Sequence, residues 1–185
     1  LDMVYLDIDY MDQYMDFTVD KEKFPDFPGF VEKVKSKGIR LVPIIDAGVK
    51  IKEGYEVYEE GAAKGYFCKD GEGKDFVGAV WPGRVHFPDM LNEKARKWFG
   101  DKYKVLLEQG IEGFWNDMNE PAIFYSERRL AQVFEKLEEY KGKNLGIDSF
   151  FEMQDMVRGL SNPFTIATAG RTSVMTRSII CTVIS

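Results

Sequence analysis

Residues 39–46 read Ile-Arg-Leu-Val-Pro-Ile-Ile-Asp, a nearly continuous apolar run that ends in an acid. Continuous rather than alternating apolarity is typical of a parallel strand that is buried on both faces. Residues 4–9 and residues 111–117 have the same character, and each of these stretches also ends in aspartate. We therefore predict three parallel strands whose last residues are acids.

The segments between these strands carry helix signals. Pro28 suits the first turn of a helix, and Gly38 is a good stop for it. Asn92 can cap a second helix, whose apolar residues recur at helical spacing as far as Leu107, before Gly110. The order strand, helix, strand, helix, strand predicts an α/β fold with right-handed parallel crossovers.

Residues 47–91 contain many glycine, tyrosine and charged residues and no long periodic stretch. We predict a long insertion there, with one small helix at residues 55–63. His86, the only histidine, falls in this insertion, and we interpret it as a polar loop residue rather than a metal ligand, because a metal site needs more ligands of the right type.

Composition excludes several classes of protein. The 185 residues suit about one domain, and a hydrophobic content of 44% is ample for a packed core. The net charge is −6 without a cluster of basic residues, so we expect no nucleic-acid partner. No run of ~18 apolar residues occurs, so we expect no membrane partner. Cys68 and Cys181 are too few for a disulfide framework, which favours a cytoplasmic location.

Aspartates end all three predicted strands: Asp7 and Asp9 the first, Asp46 the second and Asp117 the third. In an α/β barrel the active site lies at the carboxyl ends of the strands, so these acids would meet at one mouth. The alternative is that each aspartate merely begins a loop or caps a helix.

The sharpest local signal is the heptapeptide Trp115-Asn116-Asp117-Met118-Asn119-Glu120-Pro121. It places two carboxylates and two amides beside a large aromatic side chain. Sugar-cleaving enzymes use carboxylates as acid, base or nucleophile. The plain alternative is a polar turn that an aspartate opens and a proline closes.

This heptapeptide resembles the nucleophile signature of glycoside hydrolase family 31, and further motifs follow that family's spacing from residue 1 to about residue 162. They are Asp7-Ile8-Asp9-Tyr10-Met11, Phe17-Thr18, Phe24-Pro25-Asp26, Pro43-Ile44-Ile45-Asp46, Val80-Trp81-Pro82-Gly83 and Phe87-Pro88-Asp89. The resemblance implies part of a (β/α)8 TIM barrel, with about three of its strands in residues 1–162.

The resemblance also implies a retaining α-glucosidase that removes terminal, non-reducing α-linked glucose from oligosaccharides without a cofactor or a metal. Asp117 would be the nucleophile, and Asp7 and Asp46 would bind hydroxyls of the sugar. Glu120 would orient the loop behind them. The walls of the subsite would come from Ile8, Ile44, Trp81, Trp115 and Met118.

Two other functions stay open. Asn119-Glu120-Pro121 is also similar to the acid/base motif of β-glycanases, in which Glu120 would be the catalytic acid. A carbohydrate-binding remnant without turnover is the second alternative. Xylosidase or transferase activity on the same scaffold is a milder variation.

The resemblance implies that the general acid, an aspartate, comes from a later strand after residue 185. We therefore expect the remainder of the same polypeptide to complete the barrel, and this chain alone to be inactive.

Residues 163–185 depart from the family, which has a stretch like Arg-His-Asp-Lys-Val-His-Asn-Leu-Tyr-Gly-Tyr near here. Suitable codons for residues 174–185, read one base out of frame, give His-Asp-Lys-Val-His-Asn-Leu-Tyr-Gly-Tyr-Lys, so we interpret this tail as frameshifted. A divergent loop ending is the alternative.

Overall fold

The computed structural model describes residues 1–119 and 122–143. Its strands are β1 Met3–Leu6, β2 Arg40–Asp46, β3 Val49–Lys50, β4 Gly78–Val80, β5 Gly83–His86, β6 Trp115–Asp117 and β7 Tyr125–Ser126. Its α-helices are α1 Phe27–Lys35, α2 Glu56–Lys64, α3 Glu93–Lys102, α4 Lys104–Leu107 and α5 Glu127–Glu138.

The predicted parallel sheet is confirmed, with strand order β1-β2-β6. Leu6 pairs with Pro43 on one side of β2, and Asp46 pairs with Asp117 on the other side. The strands are shorter than predicted. β1 ends at Leu6 because the chain turns into a 3-10 helix at Ile8–Tyr10, and residues 111–114 lie outside β6.

The helices between the strands begin where the sequence indicates. The Asp26 carboxylate accepts the N–H of Gly29 at 3.0 Å and caps α1, and the Asn92 side chain accepts the N–H of Lys94 at 3.0 Å and caps α3. The predicted single helix from residue 92 to residue 107 is wrong in one respect, because it breaks at Tyr103 into α3 and α4. The Tyr103 ring is held there by edge-on contacts with neighbouring aromatic rings.

One face of the parallel sheet is covered by the helices. Leu41 and Ile45 of β2 point into this core and are 5% and 1% exposed. Burial of such side chains stabilises the fold by roughly 1.5–3 kcal/mol each. The buried partners from the helices and the segment after them are Phe27, Val31, Trp98, Phe99, Leu106 and Ile111.

The insertion contributes three strands to a second sheet that the sequence did not indicate. Its strands are antiparallel, in the order β3-β5-β4-β7, and the predicted helix is present as α2. β7 comes from the chain after β6, so two separate connections build this sheet together. Its own small core contains Val80, Val85, Phe87 and Ile123.

The expectations for the tail and for Glu120 concern residues that the structure does not describe, and the expectation of no membrane span can be examined only in the described residues. The aberrant tail at residues 163–185 and the side chain of Glu120 lie outside the described part of the chain. Within residues 1–119 and 122–143, no helix is long and apolar enough to cross a membrane.

Candidate active site

Four of the predicted site residues lie on one face of the parallel sheet. Ile44 is paired with Trp115, and Asp46 is paired with Asp117. Side chains alternate between the two faces of a strand, so residues two apart on each strand point the same way. Ile44, Asp46, Trp115 and Asp117 therefore share the face opposite the one that Leu41 and Ile45 bury against the helices.

Asp46 is held rigidly at the carboxyl end of β2. Its side chain is only 3% exposed, and its Oδ1 accepts the backbone N–H of Gly48 at 3.0 Å. Among the described residues its other carboxylate oxygen, Oδ2, has no hydrogen-bond partner. A buried carboxylate oxygen without a partner is costly, which makes this atom a natural acceptor for a ligand hydroxyl.

Asp117 is half-buried at the end of β6. Its Oδ1 accepts the N–H of Met118 at 2.9 Å, and Met118 itself has a left-handed backbone with a φ of 56°. That conformation is strained for a residue other than glycine and occurs often at functional sites. Met118 also packs against the core of the second sheet, so it ties the end of β6 to the insertion.

Asp7 and Ile8 follow β1, on the other side of β2. The Asp7 carboxylate is exposed and accepts the N–H of Ile8 at 2.7 Å, which caps the 3-10 helix. Ile8 is partly buried against the main core. Both residues thus stand at the same carboxyl edge of the sheet as Asp46.

Trp81 lies in the turn between β4 and β5, on the second sheet rather than on the parallel one. Its indole is 52% exposed, and its edge meets the ring of Phe124 with 4.9 Å between the ring centroids. An aromatic ring exposed in this way offers a flat apolar surface to a ligand.

Asp16 is a buried carboxyl that the sequence motifs did not single out. It precedes Phe17-Thr18, is 1% exposed, and its Oδ1 accepts the backbone N–H of Asp46 at 3.0 Å. Burial raises the pKa of Asp16 well above its usual range, the charge of Asp46 raises it further, and the hydrogen bond from Asp46 opposes both. The only sequence signal was its place directly before the Phe17-Thr18 motif.

Burial also raises the pKa of Asp46, to about 6, against the lowering effect of the Gly48 N–H. The neighbouring charge of Asp117 adds to the increase. A nearby like charge disfavours ionisation, so the pairing of these two acids across β2 and β6 makes Asp46 harder to ionise.

His86 was interpreted as a polar loop residue, which is wrong. It lies in β5, is 7% exposed, and its ring packs against Tyr58 and Phe67, with Nδ1 at 2.8 Å from the carbonyl oxygen of Phe76. The described residues contain no group of three or more His, Cys, Asp or Glu side chains arranged to hold a metal.

The chain belongs to glycosyl hydrolases family 31, because it matches that family's TIM-barrel domain over residues 1–182. The match extends into the tail that we interpret as frameshifted, and that interpretation stays a prediction.

The chain is 40% identical over 181 residues to alpha-glucosidase 2 of Bacillus thermoamyloliquefaciens, covering 92% of this chain and 23% of that protein. The glucosidase II alpha subunit bound to Glc1Man2 has a similar structure, with a TM-score of 0.60, 37% identity, and coverage of 66% of this chain and 14% of that one. The family 31 alpha-glucosidase from Bacteroides thetaiotaomicron has a TM-score of 0.59 at 39% identity, covering 66% and 21%. The chain thus spans about a quarter or less of each relative.

Proposed function

We propose that this chain carries the nucleophile and part of the sugar-binding subsite of a retaining α-glucosidase. The observation that carries the proposal is the direct pairing of Asp46 with Asp117 at the carboxyl ends of two parallel strands. One carboxylate then binds the sugar while the other reaches its anomeric carbon. The names of the relatives, alpha-glucosidases, support glucose as the sugar.

In this mechanism an Asp117 oxygen attacks the anomeric carbon and forms a covalent glycosyl-enzyme. The bond from that carbon to the leaving oxygen breaks, and a general acid protonates the leaving oxygen. Water then attacks the glycosyl-enzyme and releases glucose with retained configuration. In retaining enzymes the carboxyl group of the nucleophile and that of the general acid lie roughly 5–5.5 Å apart.

The surrounding residues of this chain position the sugar. Asp46 Oδ2 is the buried acceptor for a hydroxyl, and Asp7 is a second acceptor at the same edge. Trp115 and Ile44 form the floor beside Asp117, and Trp81 supplies an aromatic wall from the second sheet. The general acid and the rest of the barrel come from the remainder of the same polypeptide.

The test uses the protein encoded by the complete gene and p-nitrophenyl α-glucoside as substrate. We expect Asp117→Ala to lower kcat by roughly 10⁴- to 10⁶-fold, the range found when single members of a hydrolytic catalytic unit are removed. Azide should restore turnover in Asp117→Ala by attacking the anomeric carbon, giving a glucosyl azide of inverted configuration. Glu120→Gln is the matched comparison and should retain more activity.

Two results would contradict the proposal. Azide rescue of a Glu120 variant but not of Asp117→Ala would favour the β-glycanase alternative. Sugar binding without turnover by the intact, folded protein would favour the carbohydrate-binding remnant.

A further inference from the structure

The segment that follows β1 supplies hydrogen-bond partners to the part of β2 that extends beyond the end of β1. β1 ends at Leu6, opposite Pro43, whereas β2 continues to Asp46. Beyond that point side chains act as partners for the backbone of β2: the Tyr10 hydroxyl donates to the carbonyl of Ile44 at 2.9 Å, and the Asp16 carboxyl accepts from the N–H of Asp46 at 3.0 Å. Asp16 thus anchors the main chain of a proposed sugar-binding residue.

The backbone that carries Asp16 is strained. Gln13, Tyr14 and Phe17 have φ values of 51°, 60° and 63°, and none of them is glycine. Such a backbone conformation is unfavourable for these residues and persists only where the surrounding structure enforces it. Three of them within five residues indicate that the position of Asp16 is set by tertiary contacts.

Those contacts come from the connection after β2. Lys50 donates its ammonium to the carbonyl of Gln13 at 3.1 Å, and Lys52 donates to the Gln13 side-chain oxygen at 3.0 Å. The Tyr55 hydroxyl donates to the carbonyl of Asp16 at 2.8 Å. The loop is therefore clamped to the same strand end that Asp16 anchors.

The surroundings of the Asp16 carboxyl disfavour a negative charge. The titratable groups set against it are Asp46, Tyr10, Tyr55 and Tyr103, and none of these is a cation. Asp16 Oδ2 has no hydrogen-bond partner among the described residues, and neither has Asp46 Oδ2. Two ionised carboxylates in this environment would repel each other with little solvent to screen them.

We propose that Asp16 is a positioning residue that keeps its proton and, as a neutral acceptor, fixes the backbone of Asp46, so that of these two carboxyl groups only Asp46 is ionised and meets the sugar. What Asp46 binds rests on the proposed function, whereas the protonation of Asp16 does not. Asp16 itself touches no substrate in this proposal and acts only through Asp46.

The kinetic test compares three variants of the complete enzyme. Asp16→Asn is neutral and keeps an acceptor oxygen, Asp16→Leu has a similar size without an acceptor, and Asp12→Asn makes the same chemical change in the same loop at a less buried carboxylate. We expect Asp16→Asn and Asp12→Asn to keep kcat, KM and the acidic limb of the pH profile. Asp16→Leu should raise KM by about tenfold, because it leaves the buried N–H of Asp46 without a partner.

The conservative variant decides the kinetic outcome, even if Asp16→Leu fails to fold. Retention of activity in Asp16→Asn supports a neutral acceptor. A tenfold loss in Asp16→Asn, or a displaced acidic limb, would show that the negative charge of Asp16 is needed and would overturn the proposal.

The spectroscopic test does not depend on activity. The carbonyl stretch of a protonated carboxylic acid is recorded by isotope-edited infrared spectroscopy of protein labelled with ¹³C-carboxyl aspartate, at about pH 8, where an ordinary aspartate is ionised. We expect the band in the unaltered protein and in Asp12→Asn and its loss in Asp16→Asn. A missing band in the unaltered protein overturns the proposal, whereas a band without any glucosidase activity would contradict the proposed function and leave the proton on Asp16.

Discussion

Asp46 and Asp117 are direct neighbours on adjacent parallel strands, and each belongs to a different motif of the sequence. Parallel strands lie about 4.8 Å apart, so this pairing brings two acids together without any contribution from loop conformation. Asp46 is buried and Asp117 is half-buried, and the charge of Asp117 raises the pKa of Asp46.

Sugar binding should depend on the ionisation of Asp46. Its pKa is raised to about 6 in the folded protein, so the carboxylate that accepts a hydroxyl is lost as the pH falls through that value. We expect the affinity for glucose, a ligand that does not titrate, to decrease below about pH 6. Asp117→Asn removes the like charge, so the decrease should move to lower pH. Titration calorimetry of both proteins measures this shift, with the partly exposed Asp101→Asn as the control. If the pH dependence of binding were the same in Asp117→Asn, the charge of Asp117 would not affect the ionisation of Asp46.

Gly48→Ala should disturb the site through packing alone. A Cβ atom at this position would lie 2.6 Å from Cγ2 of Val80 and 3.0 Å from Oδ1 of Asp46. Overpacking of this kind costs typically about 1–3 kcal/mol, and we expect a lower thermal midpoint together with a higher KM. Gly71→Ala is the matched control, because a Cβ there meets nothing within 4 Å. Equal effects of the two substitutions would show that a Cβ atom at position 48 does not crowd Val80 and Asp46.

Tyr10→Phe should destabilise the end of β2. The Tyr10 hydroxyl is buried and donates to the carbonyl of Ile44, so its removal leaves that oxygen without this donor. The expected loss in the free energy of unfolding is about 1–3 kcal/mol. Tyr14→Phe, which removes a more exposed hydroxyl, should cost less, and denaturant unfolding of the two variants compares them. A Tyr10→Phe protein as stable as Tyr14→Phe would argue against this contact.

Asp16→Asn should become progressively more stabilising as the pH rises. The folded pKa of Asp16 is raised above the unfolded value of about 3.9, so the folded state binds more protons between these two values. Stability therefore falls as pH increases through that window in the unaltered protein, and the amide variant lacks this loss. Thermal midpoints of the two proteins, measured from pH 4 upward, should diverge. Parallel curves would mean that Asp16 ionises normally.

The isolated 185-residue chain should not hydrolyse p-nitrophenyl α-glucoside, since the proposed general acid lies elsewhere in the polypeptide. The open face of β1 also leaves Met3 and Tyr5 48% and 59% exposed. Activity is compared with the protein from the complete gene. Turnover that persists through purification and disappears in Asp117→Ala would disprove this expectation.

The parallel sheet could be predicted because β2 is almost entirely apolar, and apolar runs of this kind are characteristic of strands buried on both faces. The second sheet could not, because its strands have only two to four residues and contain glycine and charged side chains. Such strands exist through pairing with distant segments, which a local pattern does not reveal.

Asp46 and Asp117 were predicted to lie at the same edge of the sheet because each ends a predicted strand. Asp16 was missed because a loop with left-handed residues brings it to β2, and because the residue that holds its carbonyl, Tyr55, lies far along the chain. The burial of His86 was missed for a related reason, since β5 becomes a strand only by pairing with β3 and β4.

The second sheet is built from the connection after β2 and the connection after β6, which meet where β4 pairs with β7. Consequently the two connections are not interchangeable parts. A chimera that takes the insertion from one relative and the segment after β6 from another would mismatch Ile123 and Met118 against Val80 and Phe87. For engineering of substrate range, the unit of exchange is therefore both connections together, transplanted with the two aspartates that they flank.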